Sequence, residues 1–380
     1  CLILHIMNQL RVLTIVGTRP EIIRLSRIIL RLENSNSVDH KLLHTGQNYD
    51  HELSEIFFND LGLRNPDYLL KTAGTSFADT LSEILKQTDK LLDEIQPQAV
   101  VILGDTNSAL TSILAKRKKI PIFHLEAGNR CFDERVPEEI NRKIVDHISD
   151  INLTYSSIAR EHLIREGIKS DRIIKIGSPM KEVLNAYSKK IAKSTILNKL
   201  GLKKEKYFVL SCHREENIDL NFQKVIKIID SVSNHYKLPI IFSAHPRTKK
   251  KIESKKIKFD PLVKLIKPLG YIDYVNLQMN SSLVISDSGT ISEESSILNF
   301  NAINLRESHE RPEAMENPPL VMSGLNVERV IQSIDAVLET ALNNSKLVRD
   351  YNEDNVSTKV ERILLSYTDY VNRVVWQKES

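Results

Sequence analysis

Six apolar runs in this chain end on residues that can move protons or hold phosphate. Val12–Val16 runs into Gly17-Thr18-Arg19-Pro20-Glu21, Val100–Leu103 into Gly104-Asp105-Thr106-Asn107, and Ile122–Leu125 into Glu126-Ala127-Gly128-Asn129-Arg130. Further along, Val209–Cys212 leads to His213-Arg214-Glu215-Glu216-Asn217, Ile240–Ala244 to His245-Pro246-Arg247, and Val284–Ser286 to Asp287-Ser288-Gly289-Thr290. Asp105, Glu126 and Glu138 form a carboxylate set suited to general acid–base work, and His213 adds an imidazole. Arg19 offers a planar fork to phosphate. Where Ser288-Gly289-Thr290 opens a helix, free backbone N–H groups suit a pyrophosphate, and an acidic residue one turn inside can accept from ribose hydroxyls.

Each feature also has a purely architectural reading. Gly17–Glu21 could be an ordinary strand-to-helix turn, with Pro20 in the first turn where its missing N–H costs nothing. Asp105 could cap a helix starting near Thr106, and Thr290 with Glu293 stands at capping-box spacing. Glu138 and Glu139 after Pro137 suit a helix dipole. Glu126 is harder to explain this way, since a glutamate ending an apolar strand before Ala-Gly caps poorly. His245 and Asp287 read as structural groups, and Cys131 and Cys212, without a triad context, as small packing residues. The basic patch Arg247–Lys258 reads as a solvated face. Neither GxGxxG nor GxxxxGK[ST] occurs, so the usual NAD and P-loop fingerprints are absent.

The elements that must position these groups follow from periodicity. Val12–Val16, Lys41–His44, Ala99–Leu103, Ile120–Leu125, Ile151–Tyr155 and Ile173–Ile176 are continuous apolar runs, as strands buried on both faces of a parallel sheet require. Between them Glu21–Glu33, Phe77–Ile95 and Glu138–His147 read as helices, the last two with apolar residues three and four apart. Tyr207–Cys212, Pro239–Ala244, Val263–Ile266, Leu283–Ser286 and Ala302–Leu305 repeat the pattern, after a lysine-rich passage from Lys181 to Lys206 with no strand-like run. The expectation is an α/β protein of two doubly wound domains. Residues 7–180 form the first and carry the carboxylates, 181–358 the second and bind nucleotide, and in 359–380 the segment Lys359–Val375 forms a helix packing back on the first. Ligand is expected between them, outside the carboxyl ends of the strands.

Bulk properties agree. A chain of 380 residues suits two domains, and 53 Lys+Arg against 49 Asp+Glu, interspersed, leaves no stripe for nucleic acid. With 41% hydrophobic and 27% charged residues it reads as a soluble globular protein. Three scattered cysteines fit no disulfide framework or metal site and suit a reducing cytosol. No apolar run is long enough to span a bilayer, and Met7 reads as the natural start, with Cys1–Ile6 an upstream extension.

At these residues the chain closely resembles the non-hydrolysing UDP-N-acetylglucosamine 2-epimerases over nearly its whole length from Met7. The resemblance is carried, in the family's order, by Gly17-Thr18-Arg19-Pro20-Glu21, Gly104-Asp105-Thr106, Glu126-Ala127-Gly128, Pro137-Glu138-Glu139, His213-Arg214-Glu215, Asp287-Ser288-Gly289 and Glu310-Arg311-Pro312-Glu313. It implies two Rossmann-like domains on the glycosyltransferase-B-like plan, with the active site in the interdomain cleft. It implies Asp105, Glu126, Glu138 and His213 as catalytic positions. Arg19, Arg24, Ser288, Gly289, Thr290, Glu294 and Arg311 would hold UDP and substrate. No cofactor or metal is implied; the partners are a UDP-activated N-acetylated amino sugar and a second copy in a cytoplasmic homodimer.

Departures from the family pattern bear on substrate. Arg24 stands where the GlcNAc enzymes usually have lysine, and Leu269 where they often have glutamine. Asn129-Arg130-Cys131-Phe132-Asp133 resembles the branch that makes UDP-N-acetyl-L-fucosamine for capsule and O-antigen by 2-epimerising UDP-2-acetamido-2,6-dideoxy-L-talose. That is the function expected here, with UDP-GlcNAc/UDP-ManNAc epimerisation as the alternative. A retaining glycosyltransferase, a hydrolysing epimerase and a non-catalytic UDP-sugar sensor are the further rivals. Incubation with UDP-sugar and no acceptor separates them, since only the epimerase scrambles C2 without accumulating free UDP.

Overall fold

Leu10–Val16 (β1) sets the pattern for the first sheet: its last five residues are buried without interruption, so both faces must be covered. The computed structural model describes residues 9–46, 57–72, 74, 76–214, 216–308, 310–316, 318–339 and 347–378. Met7, the segment before it, and Glu215 lie outside the described residues.

Seven parallel strands form the first sheet: β1, Val38–His44 (β2), Tyr68–Leu69 (β3), Ala99–Leu103 (β4), Ile122–Leu125 (β5), Ile151–Thr154 (β6) and Ile173–Lys175 (β7), in the order β3-β2-β1-β4-β5-β6-β7. The second has six: Phe208–Ser211 (β8), Ile240–Ser243 (β9), Val263–Ile266 (β10), Leu283–Ser286 (β11), Ala302–Asn304 (β12) and Val321–Met322 (β13), ordered β10-β9-β8-β11-β12-β13. Every pairing is parallel, and both sheets reverse strand order once, at β1/β4 and at β8/β11. These are the two doubly wound sheets that the apolar runs predict. Among the described residues the strands that the sequence missed are β3 and β13, two-residue edge strands.

The helices that matter for the first sheet are Arg19–Glu33 (α1), Phe77–Ile95 (α2), Ser112–Arg117 (α3), Pro137–Ile148 (α4) and Ser157–Arg165 (α5). The core between them and the strands contains Leu13, Ile15, Val100, Ile102, Ile122 and Val145, all 1% exposed or less. Side chains of this size contribute about 1.5–3 kcal/mol each when fully buried. In the second sheet both faces are likewise covered, one around Leu210, Phe242 and Ile285 and the other around Val209, Ile241 and Val284.

The chain divides into two compact units. Unit 1 comprises 1–183 and 353–380, and unit 2 comprises 184–352. The helix Val356–Val374 packs on α1, buries Val356, Val360, Leu364 and Val371, and pairs Glu361 with Arg31 at 2.5 Å. Among the described residues no helix is long and apolar enough to cross a membrane.

Candidate active site

In unit 1 the β1 and β4 ends flank the point where strand order reverses, the place where open α/β sheets leave a crevice for ligands. Gly17 is closely packed there: a Cβ would lie 1.9 Å from Ser108 Oγ and 2.4 Å from Thr45 Oγ1, so that those hydroxyls would have to move. The adjoining helix start is closed by Glu21, whose Oε2 accepts from Gly17 N (3.0 Å), Thr18 N (2.7 Å) and Thr18 Oγ1 (2.8 Å). Its Oε1 takes Thr106 Oγ1 at 3.0 Å, so one carboxyl joins the β1 and β4 loops. Burial pushes the Glu21 carboxyl up to about 7, against the pull of these donors. Arg19, next to this turn, lies over the Phe57 ring at 5.5 Å.

Asp105 follows β4 and does not cap a helix, because Ala109–Thr111 is a 3-10 turn and α3 begins only at Ser112. Its carboxylate instead meets Arg142 Nη2 of α4 at 2.5 Å, while its carbonyl accepts from Asn141 Nδ2 at 2.8 Å. Glu126, at the end of β5, adopts φ +65°, a left-handed conformation uncommon outside glycine. Strain of this kind persists where surroundings over-determine it, and here Arg24 of α1 reaches Glu126 Oε2 at 3.3 Å with both side chains 10% exposed or less. Arg24 also lies over the Tyr155 ring at 5.8 Å. Glu138 is half-buried in the first turn of α4.

Beneath these groups lies a charge network that the sequence reading passed over. Asp146 of α4 is fully buried and accepts from Gly128 N (3.2 Å) and Arg130 Nη1 (2.7 Å), with His124 Nδ1 at 3.0 Å. His124 Nε2 reaches Gly104 O at 2.9 Å, linking the β4 and β5 ends. Burial alone would raise the Asp146 carboxyl, but His124 and Arg130 outweigh it and hold it below the usual range. Arg130, itself fully buried, also grips Glu166 through Nε and Nη2 at 2.8 and 2.6 Å. It anchors the strap 129–136 from within. Glu139 holds the next turn of that strap, accepting from Cys131 N (3.1 Å), Cys131 Sγ (3.3 Å) and Phe132 N (3.2 Å). Phe132 is left at φ +54° and 74% exposed.

Unit 2 assembles a different chemistry at the β8 and β11 ends. Asp287 accepts from His213 N (3.0 Å), Arg214 N (2.9 Å), Cys212 Sγ (3.2 Å) and Asn217 Nδ2 (3.1 Å), and its Oδ1 is 3.4 Å from His213 Nδ1. Burial opposes ionisation, yet His213 and these donors keep the Asp287 carboxyl below its usual range. Asp287 therefore orients the exposed His213 imidazole, and both it and Cys212 do more than pack. Gly289 faces one carboxylate and three guanidinium groups: Arg311 Nε donates to its carbonyl at 3.1 Å, and a Cβ there would stand 3.3 Å from Glu310 Oε2, 3.5 Å from Arg214 Nη2 and 3.8 Å from Arg306 Nη1. Arg306 is buried, pairs with Glu310 at 3.0 Å, and its Nη1 has no hydrogen-bond partner among the described residues. A buried guanidinium nitrogen left open beside a glycine suits an anionic ligand.

The Thr290/Glu293 capping box does not form. Thr290 itself has helical φ and ψ (−82°, −15°) and its hydroxyl donates to Glu294 Oε1 at 3.1 Å, while buried Glu293 is drawn to Arg311 at 3.4 Å. Thr18 and Glu21 make that box instead. The structure thus gathers Asp105, Glu126 and Arg24 with Arg19 and Glu138 at one sheet edge of unit 1. Around Gly289 in unit 2 it gathers Ser288, Thr290, Glu294 and Arg311, with His213 at the neighbouring strand end. Arg142, Asp146, Arg306 and Glu21 are the participants to which the sequence reading gave no role.

A family model described as UDP-N-acetylglucosamine 2-epimerase matches residues 30–365. A solved structure described as UDP-N-acetylglucosamine 2-epimerase from Rickettsia bellii superimposes with TM-score 0.90 at 48% identity, covering 97% of this chain and 100% of that one. The UDP-GlcNAc 2-epimerase of Methanocaldococcus jannaschii, in complex with UDP-GlcNAc and UDP, gives TM-score 0.89 at 34% identity over 94% and 100%. The UDP-2,3-diacetamido-2,3-dideoxy-D-glucuronate 2-epimerase of Pseudomonas aeruginosa is 30% identical over 85% of this chain and 91% of that protein.

Proposed function

Because the chain belongs to the UDP-N-acetylglucosamine 2-epimerase family, it is a UDP-sugar 2-epimerase of the non-hydrolysing kind, and we propose that it converts UDP-2-acetamido-2,6-dideoxy-L-talose to UDP-N-acetyl-L-fucosamine. The product is destined for capsule or O-antigen synthesis. The observation that carries the substrate reading is the strap 129–136. It spends a left-handed backbone to present the Phe132 phenyl to solvent, and it is tied through Glu139 and Arg142 to Asp105. An apolar ring there suits a sugar whose C6 is a methyl group. The second reading, UDP-GlcNAc to UDP-ManNAc, is favoured by the M. jannaschii relative, described with UDP-GlcNAc bound. At 30% identity the family also holds an enzyme for a third UDP-sugar, so membership alone leaves the sugar open.

The C2–H of such a sugar is not adjacent to a carbonyl, so a bare carbanion would be poorly stabilised. Its barrier falls if the C1–O bond to UDP breaks as the proton leaves. One carboxylate takes the C2 proton, UDP departs with the C1–O electrons, and a 2-acetamidoglycal remains. A proton is then delivered to the opposite face of C2 while UDP re-adds at C1, so the cycle is redox-neutral. Asp105, Glu126 and Glu138 are the proposed proton carriers, each contributing about 10²–10⁴-fold if suitably poised. Arg19, His213, Arg311 and the Ser288-Gly289-Thr290 turn stabilise the departing diphosphate, and Arg24 and Glu294 hold the nucleotide sugar. The enzyme acts as a cytoplasmic homodimer.

Proton NMR with each UDP-sugar in D₂O tests class and substrate together. We expect deuterium at C2 and epimer from the 6-deoxytalose derivative. Turnover of UDP-GlcNAc alone would transfer the function to the second reading. Asp105→Asn and Glu126→Gln should keep UDP binding and lose deuterium uptake, and uptake retained in both removes them from the relay.

A further inference from the structure

We propose that Arg142 is a positioning residue for this reaction: it holds the Asp105 carboxylate in the place from which it takes the C2 proton. The inference rests on the reading above that Asp105 exchanges a proton with substrate. Arg142 is 3% exposed, with Nη2 2.5 Å from Asp105 Oδ2 and Nη1 3.0 Å from Glu139 Oε2. Its neighbour Asn141 holds the Asp105 carbonyl at 2.8 Å. Two adjacent residues of α4 therefore grip Asp105 at both its backbone and its carboxylate. Glu138 stands in the first turn of the same helix, so two proposed proton carriers are referenced to one rigid element.

Glu139 fixes the other side of the guanidinium. Burial works against its charge, but Cys131 and Arg142 more than compensate and hold its carboxyl below the usual range, so it remains an anion that keeps Arg142 from turning away. A guanidinium bonded to a carboxylate favours the ionised form, and charge-assisted bonds of this kind are short and directional. The pairing thus fixes the position from which Asp105 takes the C2 proton. When Asp105 takes that proton the guanidinium stays paired with Glu139, and no buried cation is stranded.

The test compares Arg142→Gln, Arg142→Lys and Asp105→Asn by kcat, KM, pH profile and C2 deuterium uptake. Arg142→Gln should lower kcat about 10²-fold, the scale of a misplaced catalytic group, with KM within about threefold because ground-state binding is untouched. Its acid limb should move to higher pH, since a carboxylate without its guanidinium takes up a proton more readily. Added guanidinium ion should restore part of the rate. A kcat within about threefold of wild type and an unmoved acid limb overturn the proposal. Should Arg142→Gln fail to fold by thermal melting, Arg142→Lys decides: loss of kcat at constant KM supports the role, and wild-type kcat and pH profile overturn it. Deuterium uptake retained by Asp105→Asn would instead sink the reading of Asp105 as proton carrier. Uptake lost there but kept in Arg142→Gln removes the positioning role alone.

Discussion

Replacing Arg130 by methionine tests whether the network under the carboxylates is organised by a buried charge. Arg130 and Asp146 are both 0% exposed along their side chains and 2.7 Å apart, whereas Glu166, the other partner, is 28% exposed. Removing one member of a buried pair costs about 3–5 kcal/mol, most of it from the charge left behind. Here Asp146 retains His124 at 3.0 Å and the Gly128 N–H at 3.2 Å, and Glu166 can turn to water, so the lower end applies and Arg130→Met should cost roughly 3 kcal/mol. For a unit of this size that corresponds to a fall in Tm of about 6–12 °C. Trp376 is the sole tryptophan of the chain, lies in unit 1, and has Lys116 Nζ over its ring at 5.1 Å. Its fluorescence on urea titration therefore reports unit 1. Glu166→Gln should cost under about 1 kcal/mol, as partly exposed pairs do, and adding Asp146→Asn to Arg130→Met should recover part of the loss. A loss below about 1 kcal/mol for Arg130→Met, or equal losses for Arg130→Met and Glu166→Gln, refutes the argument that a stranded Asp146 sets the cost.

Two further outcomes are expected. The Glu21 carboxyl, raised from 4.5 to about 7 by burial, binds its proton more tightly folded than unfolded. Its stabilising contribution is thus complete below pH 4.5 and lost as pH rises through about 7, on the order of 3 kcal/mol. Glu21→Gln should flatten that part of the stability–pH curve read from Trp376, and an unchanged slope would refute the assignment. Gly289→Ala would place a methyl group 3.3 Å from Glu310 Oε2 and close to Arg214 and Arg306. Stability should change by less than about 1 kcal/mol while calorimetric UDP affinity falls about tenfold; undiminished affinity would place the diphosphate elsewhere.

The fold was legible because buried parallel strands write themselves as unbroken apolar runs, as Ala99–Leu103 and Phe208–Leu210 do. Tyr68–Leu69 and Val321–Met322 were not, since two residues at a sheet edge carry no period. The candidate site was legible where residues stand at strand ends, as Asp105, Glu126 and His213 do, whereas Asp287, read as structural, showed its part only through the donors that converge on it. Its supports were hidden because their partners are remote in sequence: Asp146 meets Arg130 and His124, and Arg306 lies beside Gly289. Arg142 left a faint signal, three residues after Glu139 on a helix whose first turn already held Glu138. The Thr290/Glu293 spacing misled because Arg311, invisible to a local rule, competes for Glu293.

The return of residues 353–378 to unit 1 has a consequence for synthesis. Unit 2 is contiguous, from 184 to 352, and is complete before the strip that closes unit 1 has been translated. The usual order, in which the amino-terminal domain finishes first, is inverted: the carboxylate-bearing unit waits, with the face of α1 that will receive Val360 and Leu364 still uncovered. A chain truncated after residue 352 would therefore keep the whole of the second unit's sequence but leave the first without the helix that covers α1.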